Sequence, residues 1–190
     1  FGVQLVIRSD GNDYRGYAGQ LASGVLRPGD AVRVLPAGTE STVASIDTLD
    51  GPLDEAVPGQ SITVLLEDDI DASRGDVIVH AHDEVAVRRE IDADVCWFSE
   101  RTLRPGARVL LKHLTHTAEA VVDELVDVVD VHTFERTPAP AELALNDIAR
   151  VRLRTRRPLL ADPYRQNRAT GAFILIDETT NDTLAAGMVV

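Results

Sequence analysis

The chain has little of several residue types on which many folds and active sites depend. Its 190 residues include one cysteine, one tryptophan and one methionine, and aromatic residues make up 4%. The single cysteine, Cys96, excludes an internal disulfide and is typical of a reducing compartment. Because aromatics are scarce, Val, Leu, Ile and Ala must fill the core, and the abundance of valine favours strands over helices.

Long hydrophobic runs are also missing. No apolar segment reaches the ~20 residues that a bilayer-spanning helix needs, and no secretory signal pattern opens the chain. We therefore expect a cytoplasmic protein without a membrane partner. Because the chain opens on Phe1 rather than Met and enters a strand pattern at once, we also expect it to be a piece of a longer protein.

Basic residues are fewer than acidic ones, 19 Lys and Arg against 31 Asp and Glu. The formal net charge is -12. Residues 1–82 carry 13 acidic and 5 basic residues, and residues 83–190 carry 18 and 14. Neither half is basic, so neither gains much from the counterion release that drives binding to nucleic acids. Nucleic acid is therefore not the expected partner of the chain as a whole.

Short apolar segments bounded by turn residues recur along the chain. The first set comprises Gln4–Arg8, Tyr14–Leu26, Ala31–Leu35, Thr42–Ile46, Gly59–Leu66 and Val77–Val79. The second set comprises Ile91–Phe98, Arg108–Leu114, Ala118–Val131, Leu143–Thr155, Gly171–Asp177 and Thr183–Val190. This spacing predicts an all-β sandwich or barrel. We expect two consecutive units, residues 1–82 and 83–190, divided at Ala81–Asp83.

Two segments bear on this organisation. Val25–Gly29 and Thr102–Gly106 share the sequence Leu-Arg-Pro-Gly, and each precedes a valine-rich strand, which supports two related units. Part of Ala118–Val131 fits a helical period. Its β-branched content favours a long strand or a bent strand pair instead.

No catalytic motif is present in the sequence. A phosphate-binding loop of the form Gly-x-x-x-x-Gly-Lys-Ser/Thr is absent, and the only lysine, Lys112, has no glycine-rich context. A Gly-x-Ser-x-Gly nucleophile elbow is absent too. Asp13–Gly16 matches a bare Asp-x-x-Gly, which without an upstream phosphate loop is a chance match. We expect no catalytic residue and no cofactor-binding residue in this chain.

The histidines offer two candidate metal ligands. His80 and His82 are two residues apart, so in a strand they share one face and are able to hold a metal. A solvated linker between units is the favoured interpretation. His113 and His116 are three residues apart, which suits a helix better than the predicted strand, and both are interpreted as structural or exposed.

Two other features invite a chemical interpretation. Cys96 lies beside Trp97 in an apolar strand, where a small buried thiol is favoured over a nucleophile. The acidic run Glu67–Asp71 has the oxygen ligands that Mg²⁺ or Ca²⁺ prefer. It lies on a turn between strands, so a solvated loop is favoured, and we expect no metal site.

The strongest charge pattern is an arginine-rich segment near the end of the chain. In a strand, alternate residues share a face, and the outward set here is Arg150, Arg152, Arg154 and Arg156. One interpretation, slightly favoured, is an exposed barrel face whose arginines pair with acidic neighbours. The other is a docking stripe for an acidic partner or an RNA backbone. Arg165 and Arg168 follow close by.

Several segments together resemble a known family. Similarity to the second domain of translational GTPases is carried by Asp13–Gly19, Ser23–Asp30 and Pro58–Gln60, followed by Asp71–Asp76. Similarity to the end of the GTP-binding large subunit of bacterial sulfate adenylyltransferase is carried by Asn167–Asp177, Thr180–Asn181 and Gly187–Met188, with Leu145–Val151 in support. The chain is thus expected to hold two antiparallel β-barrels resembling domains 2 and 3 of translational GTPases.

This resemblance implies a function for the parent protein. In that family a G domain hydrolyses GTP with Mg²⁺, and a separate small subunit joins ATP and sulfate into adenosine 5′-phosphosulfate and pyrophosphate. In some bacteria an adenylylsulfate kinase is fused to the large subunit. Because G-domain motifs are missing here, we expect a non-catalytic part that supports its own G domain and the small subunit. Arg15, Arg165 and Arg168, with the arginine strand, are the candidate partner contacts.

Two alternatives stay open at this point. One is a pair of tRNA- or RNA-binding barrels from an elongation-type GTPase, in which the second domain holds the aminoacyl end of tRNA. The arginine-rich segment motivates it, and the net charge opposes it. The other is a standalone enzyme, for which the sequence offers no set of active-site residues.

Overall fold

The computed structural model describes residues 1–8 and 14–190, and these residues contain strands and turns but no helix. The turn predicted at Ser9–Asp13 lies outside the described residues. No described helix is long and apolar enough to cross a membrane. The described chain divides into two compact units, Phe1–Val85 with Leu114–His116, and Ala86–His113 with Thr117–Val190.

Seven strands form the sheet of the first unit. They are β1 (Gly2–Arg8), β2 (Arg15–Gln20), β3 (Ala31–Leu35), β4 (Thr39–Thr48), β5 (Gly51–Pro52), β6 (Ser61–Leu66) and β7 (Val77–His80). The order is β3-β7-β1-β2-β6-β4-β5, and β4 also pairs with β3. That last pairing closes six strands into a barrel, which leaves β5 as a short extension of β4 and removes the open edges of the sheet.

The second unit repeats this plan. Its strands are β8 (Val87–Trp97), β9 (Arg108–His113), β10 (His116–Val129), β11 (Arg136–Pro138), β12 (Ile148–Leu160), β13 (Ala172–Ile176) and β14 (Thr183–Val189). The order is β11-β10-β12-β8-β14-β13-β9, and β10 also pairs with β9. Six strands again close into a barrel, and β11 extends from β10. The prediction of an all-β chain with two antiparallel barrels is confirmed.

Each barrel is filled by aliphatic side chains, as the shortage of aromatics predicts. Val32, Ile46 and Val64 are fully buried in the first core. Val151, Leu153 and Leu175 are fully buried in the second, where the only tryptophan, Trp97, is also buried. The indole of Trp97 donates a hydrogen bond to the carbonyl of Arg101 (2.8 Å). This satisfies its polar atom in an otherwise apolar core.

The two Leu-Arg-Pro-Gly segments take the same local structure. Leu26 bridges to Ala56 in the first unit, and Leu103 bridges to Leu143 in the second. In both segments the glycine has a positive φ, +90° at Gly29 and +85° at Gly106, a conformation that glycine adopts without steric cost. Each turn leads into the next strand, β3 or β9, so the sequence repeat marks equivalent corners of the two barrels.

The long strand predicted over Ala118–Val131 is confirmed as β10. Its pairing with β12 is irregular between Val122 and Glu124 and between Leu125 and Asp127, so the strand bends without becoming a helix. The strand predicted over Tyr14–Leu26, with interruptions at Gly16, Gly19 and Gly24, ends earlier than predicted. β2 ends at Gln20, and Leu26 makes only an isolated bridge. The intervening Gly24 has φ +74°, which takes the chain out of the sheet.

Candidate interaction surface

The arginine-rich segment is the middle of β12, and its side chains alternate as predicted. Val151, Leu153 and Thr155 are buried in the barrel. The four arginines at 150, 152, 154 and 156 are on the other face of the strand and are half-buried or exposed. The period of two residues in a strand is the physical reason, because one face is needed for the core and the other meets solvent.

Both neighbours of β12 present carboxylates to these arginines. Asp92 and Asp94 lie on β8, directly opposite Arg152 and Arg150. Three more carboxylates project from β10. The ion pairs are Arg150–Asp94 (3.1 Å), Arg152–Asp92 (2.8 Å), Arg152–Glu124 (2.9 Å), Arg154–Asp123 (3.0 Å) and Arg156–Glu119 (3.1 Å). An acidic strand therefore lies on each side of a basic one.

We call these five ion pairs between β8, β12 and β10 the ion-pair ladder. It matches the interpretation of an exposed barrel face whose arginines pair with acidic neighbours. Each exposed pair contributes little to stability, about 0–1 kcal/mol. Because carboxylates already occupy these guanidinium groups, the ladder is a surface of mixed charge rather than a bare basic stripe. Whether it also contacts a partner stays a prediction.

Asp94 is the most enclosed carboxylate of the ladder. It accepts hydrogen bonds from Arg150 and from Arg136 of β11 (2.9 Å). Arg136 also pairs with Asp127 (2.6 Å). Burial pushes the pKa of Asp94 upward, but the hydrogen bonds and charges of Arg150 and Arg136 outweigh burial and hold that pKa below its ordinary value. Asp94 thus joins β8, β12 and β11 through charge.

We expect Asp94→Asn to lower the free energy of unfolding at pH 7 by on the order of 1 kcal/mol, after allowance for solvent screening. A carboxylate whose pKa is lower in the folded state stabilises the fold above its unfolded pKa of about 3.9. That contribution is lost as the pH falls through the folded pKa. The loss of unfolding free energy in the variant should therefore be present at pH 7 and become smaller at pH 3.

Urea unfolding followed by Trp97 fluorescence measures this difference, because Trp97 is buried in the core of the unit that contains Asp94. Asp182→Asn is the matched control, since Asp182 is exposed and has no ion pair with any described residue. It should change stability by less than about 0.5 kcal/mol. If Asp94→Asn loses the same unfolding free energy at pH 7 and at pH 3, the pKa of Asp94 is not lowered in the folded state.

Arg15, the candidate contact of the first unit, is engaged within its own barrel. Its guanidinium pairs with Asp69 and with Asp71 (3.3 Å) and lies 5.7 Å from the centre of the Tyr17 ring. Tyr17 donates its hydroxyl proton to the carbonyl of Ile70. Arg15 and Tyr17 therefore hold the acidic loop at residues 67–71 against β2, which gives this loop a cationic partner from the protein itself.

Arg165 and Arg168 differ from the other candidates. Both are exposed in the connection between β12 and β13, and neither forms an ion pair within the described part of the chain. The connection itself is well fixed, because the side-chain oxygen of Asn167 accepts bonds from the amides of Ala169 (3.1 Å) and Thr170 (3.4 Å). These two arginines stay candidates for contact with a partner.

The remaining candidates have structural surroundings. The Nε2 atom of His80 lies 2.9 Å from the carbonyl oxygen of Val25, and His113 is buried with Nε2 2.6 Å from the carbonyl oxygen of Thr170. Across residues 1–8 and 14–190, no group of three or more His, Cys, Asp or Glu side chains is arranged to hold a metal ion.

The prediction of a buried thiol at Cys96 is wrong. Cys96 is partly exposed, because strand alternation puts Val95 and Trp97 inside the barrel and turns the residue between them outward. Sequence reasoning also missed Arg89 and Arg108, which line a concave surface of the second unit with Arg154 and Arg156. Only the pairing of strands brings these arginines together, so no local pattern signals them.

The first unit has a concave surface of its own, of about 700 Å³. Tyr14 and Asp47 meet there, and the tyrosine hydroxyl donates to the Asp47 carboxylate (3.2 Å). Burial, reinforced by the Asp47 carboxylate, raises the pKa of Tyr14. The lining contains this one carboxylate and neither arginine nor lysine, so it offers no cation to a phosphate group.

Comparison with known protein families matches both units. The profile of the elongation factor Tu domain 2 family matches residues 18–79. The profile of the GTP-eEF1A C-terminal domain-like family matches residues 90–190, more than half of the chain. Among solved structures, Sup35 complexed with GDP is similar over 100% of this chain and 46% of its own, with a TM-score of 0.88 and 19% identity. That identity supports a shared fold.

Curated relatives are more similar in sequence. The bifunctional enzyme CysN/CysC of Mycobacterium tuberculosis is 47% identical over 193 residues, which cover 100% of this chain and 31% of the relative. Sulfate adenylyltransferase subunit 1 of Teredinibacter turnerae is 46% identical over 190 residues, which cover 100% of this chain and 40% of the relative. The chain therefore spans about a third to two fifths of the length of these relatives.

Proposed function

Because this chain belongs to the GTP-eEF1A C-terminal domain-like family and carries an elongation factor Tu domain 2 before that domain, we propose that it is the non-catalytic two-barrel part of a sulfate adenylyltransferase subunit 1. The observation that carries the proposal is 46–47% identity over the whole chain to proteins of that name and to CysN/CysC enzymes. The translation-factor-like fold of both barrels is consistent with it.

The proposed role is support of sulfate activation. In the complete assembly, a small subunit converts ATP and sulfate into adenosine 5′-phosphosulfate and pyrophosphate, and GTP hydrolysis in the G domain drives that step. GTP and Mg²⁺ belong to the G domain, and the barrels hold this domain and meet the small subunit. We expect the chain by itself to contribute neither a catalytic residue nor a cofactor-binding residue.

The ion-pair ladder supports a scaffolding role. A barrel surface tied by five ion pairs across three strands is a defined surface of alternating charge, which favours one register of a charged partner over others. Exposed Arg165 and Arg168 are two further cations of the same unit, and no described residue forms an ion pair with either. In relatives of the CysN/CysC type, we expect the fused part to be an adenylylsulfate kinase. The proposed location is the cytoplasm.

RNA binding receives less support. Carboxylates occupy the strand arginines that motivated it, and the concave surface of the first unit has no basic residue. Each phosphate contact of an RNA-binding protein requires an available cation, and such contacts supply most of its non-specific affinity. The first unit also has a net charge of -8 over residues 1–82, from 13 acidic and 5 basic residues.

A competition experiment tests the proposed function. The complete subunit 1 of Teredinibacter turnerae and its small subunit are assayed for GTP-stimulated pyrophosphate formation while this chain is added in excess. If the barrels contain the surface that meets the small subunit, the added chain should lower the rate in a saturable way. The control is the same excess of a chain with Arg165→Glu and Arg168→Glu, which should inhibit less. Undiminished activity at a large excess of the chain would overturn the proposal.

Nucleotide binding gives a second readout. By calorimetry, GTP with Mg²⁺ should bind the chain no more tightly than inorganic tripolyphosphate does, because no guanine-binding or phosphate-loop residues are present. The complete subunit 1 is the positive control and should prefer GTP. A clear preference of this chain for GTP would contradict a non-catalytic role.

A further inference from the structure

The outer face of the second barrel has a concave region where β12 separates from its neighbours. Its volume is about 650 Å³, and its charged lining consists of Arg89, Arg108, Arg154, Arg156, Glu119 and Glu178. This volume falls in the range of small-molecule sites, roughly 300–1,000 Å³. Four arginines and two glutamates give the lining a net charge of +2, in a chain whose net charge is -12.

An irregularity in strand pairing creates this region. The pairing of β12 with β10 ends at Thr155 of β12, which lies opposite Ala120 of β10. Between β12 and β8, Arg154 lies opposite Glu90, and the next paired residue of β12, Leu159, lies opposite Arg88. Four residues of β12 thus stand against one residue of β8, Arg89. Such bulges redirect side chains and are frequent next to functional sites.

Hydrogen bonds fix the irregular segment. The hydroxyl of Thr155 lies 2.7 Å from the carbonyl oxygen of Arg157 and 3.2 Å from that of Arg89. Thr155 itself is buried. The backbone that carries Arg89 and Arg156 is therefore held by a buried polar side chain, so the concave region is a defined part of the fold.

The four arginines keep donors for a ligand. Arg154 uses Nε and one terminal nitrogen on Asp123, and Arg156 uses one terminal nitrogen on Glu119. Arg89 and Arg108 form no ion pair with any residue that the structure describes. A guanidinium group presents planar paired donors that match the oxygens of phosphate, sulfate or carboxylate.

We propose that this region is a binding site for a tetrahedral dianion, a sulfate or phosphate group, with Arg89 and Arg108 as its principal ligands. Arg154 and Arg156 complete the site with the donors that their carboxylates leave. No aromatic side chain lines the region, so it recognises the anion rather than a base or sugar. Glu119 and Glu178 limit the positive charge, which favours a compact dianion over an extended polyanion.

The test uses the whole chain and NMR of the arginine Nε–H groups. Inorganic phosphate, inorganic sulfate and glycerol phosphate are titrated at constant ionic strength against sodium chloride. Saturable shifts of the Arg89 and Arg108 signals are expected with the dianions and not with chloride. Binding of the free ions alone identifies an inorganic ligand, and tighter binding of glycerol phosphate identifies an esterified one.

The variant Arg89→Gln/Arg108→Gln should weaken this binding at least about tenfold, since it removes charge-assisted hydrogen bonds. The matched control is Arg165→Gln/Arg168→Gln, which removes the same charge from an exposed connection outside the region and should bind as the parent chain does. The proposal is overturned if the dianions cause only non-saturable shifts of the Arg89 and Arg108 signals, equal to those in chloride. Equal affinity in both double variants would overturn it too.

Discussion

Replacing Leu153 with alanine is expected to lower the free energy of unfolding of the second unit by about 2–5 kcal/mol. Leu153 is fully buried in that core and lies at the centre of β12, whose neighbours are β8 and β10. Truncation removes buried methyl groups and leaves a cavity that closed barrel strands cannot collapse to fill. The ion-pair ladder on the opposite face cannot replace this contribution, because exposed ion pairs are weak.

Trp97 makes the measurement specific. It is the only tryptophan in the sequence and is buried in the second core, so its fluorescence in a urea titration reports unfolding of that unit. Leu145→Ala is the matched control, since Leu145 is 44% exposed in the same unit and should cost less than about 1 kcal/mol. If the two variants lose the same stability, Leu153 does not have the role in the core assigned to it.

Gly171→Ala is expected to destabilise the second unit by about 3 kcal/mol, at the upper end for steric overpacking. A Cβ atom at Gly171 would lie 2.4 Å from the Cα and 2.6 Å from the amide nitrogen of Tyr164. It would also lie 2.8 Å from the carbonyl oxygen of Asn167. These are backbone atoms that no rotamer change moves, and Gly171 is itself hydrogen-bonded to Asn167 and Val189.

A second glycine separates steric clash from backbone strain. A Cβ at Gly106 would meet nothing within 4 Å, although its φ is +85°. Gly106→Ala should therefore cost only the strain of a left-handed alanine, about 1–2 kcal/mol, in the same Trp97-monitored titration. A cost of Gly171→Ala no larger than that of Gly106→Ala would show that the connection at residues 162–170 moves to admit the methyl group.

Strand alternation is what made much of this fold predictable. The period of two in Arg150–Arg156 places valine and leucine inside and arginine outside whatever the neighbouring strands are, because a residue's face depends only on its own strand. The Pro-Gly turns are similarly local. Alternation also predicts that Cys96 faces outward, because it lies between the inward-facing Val95 and Trp97.

Features that depend on pairing could not be predicted. β5 and β11 are two or three residues long and have no apolar period, so only their partner strands define them. The β8 carboxylates that pair with Arg150 and Arg152 are 56 and 60 residues away along the chain. The sequence contains these charges but not the register that makes them neighbours.

The sequence by itself determined the all-β class, the two-unit plan, the missing phosphate loop and the outward face of β12. Each of these follows from local periodicity, turn chemistry or a motif that is either present or absent. Only the tertiary structure decided that acidic strands flank the arginine strand, that Arg15 holds the acidic loop, and that Arg89 and Arg108 join Arg154 and Arg156. The physical reason is that barrel closure and strand register bring together residues far apart in the chain, and no local preference specifies that register.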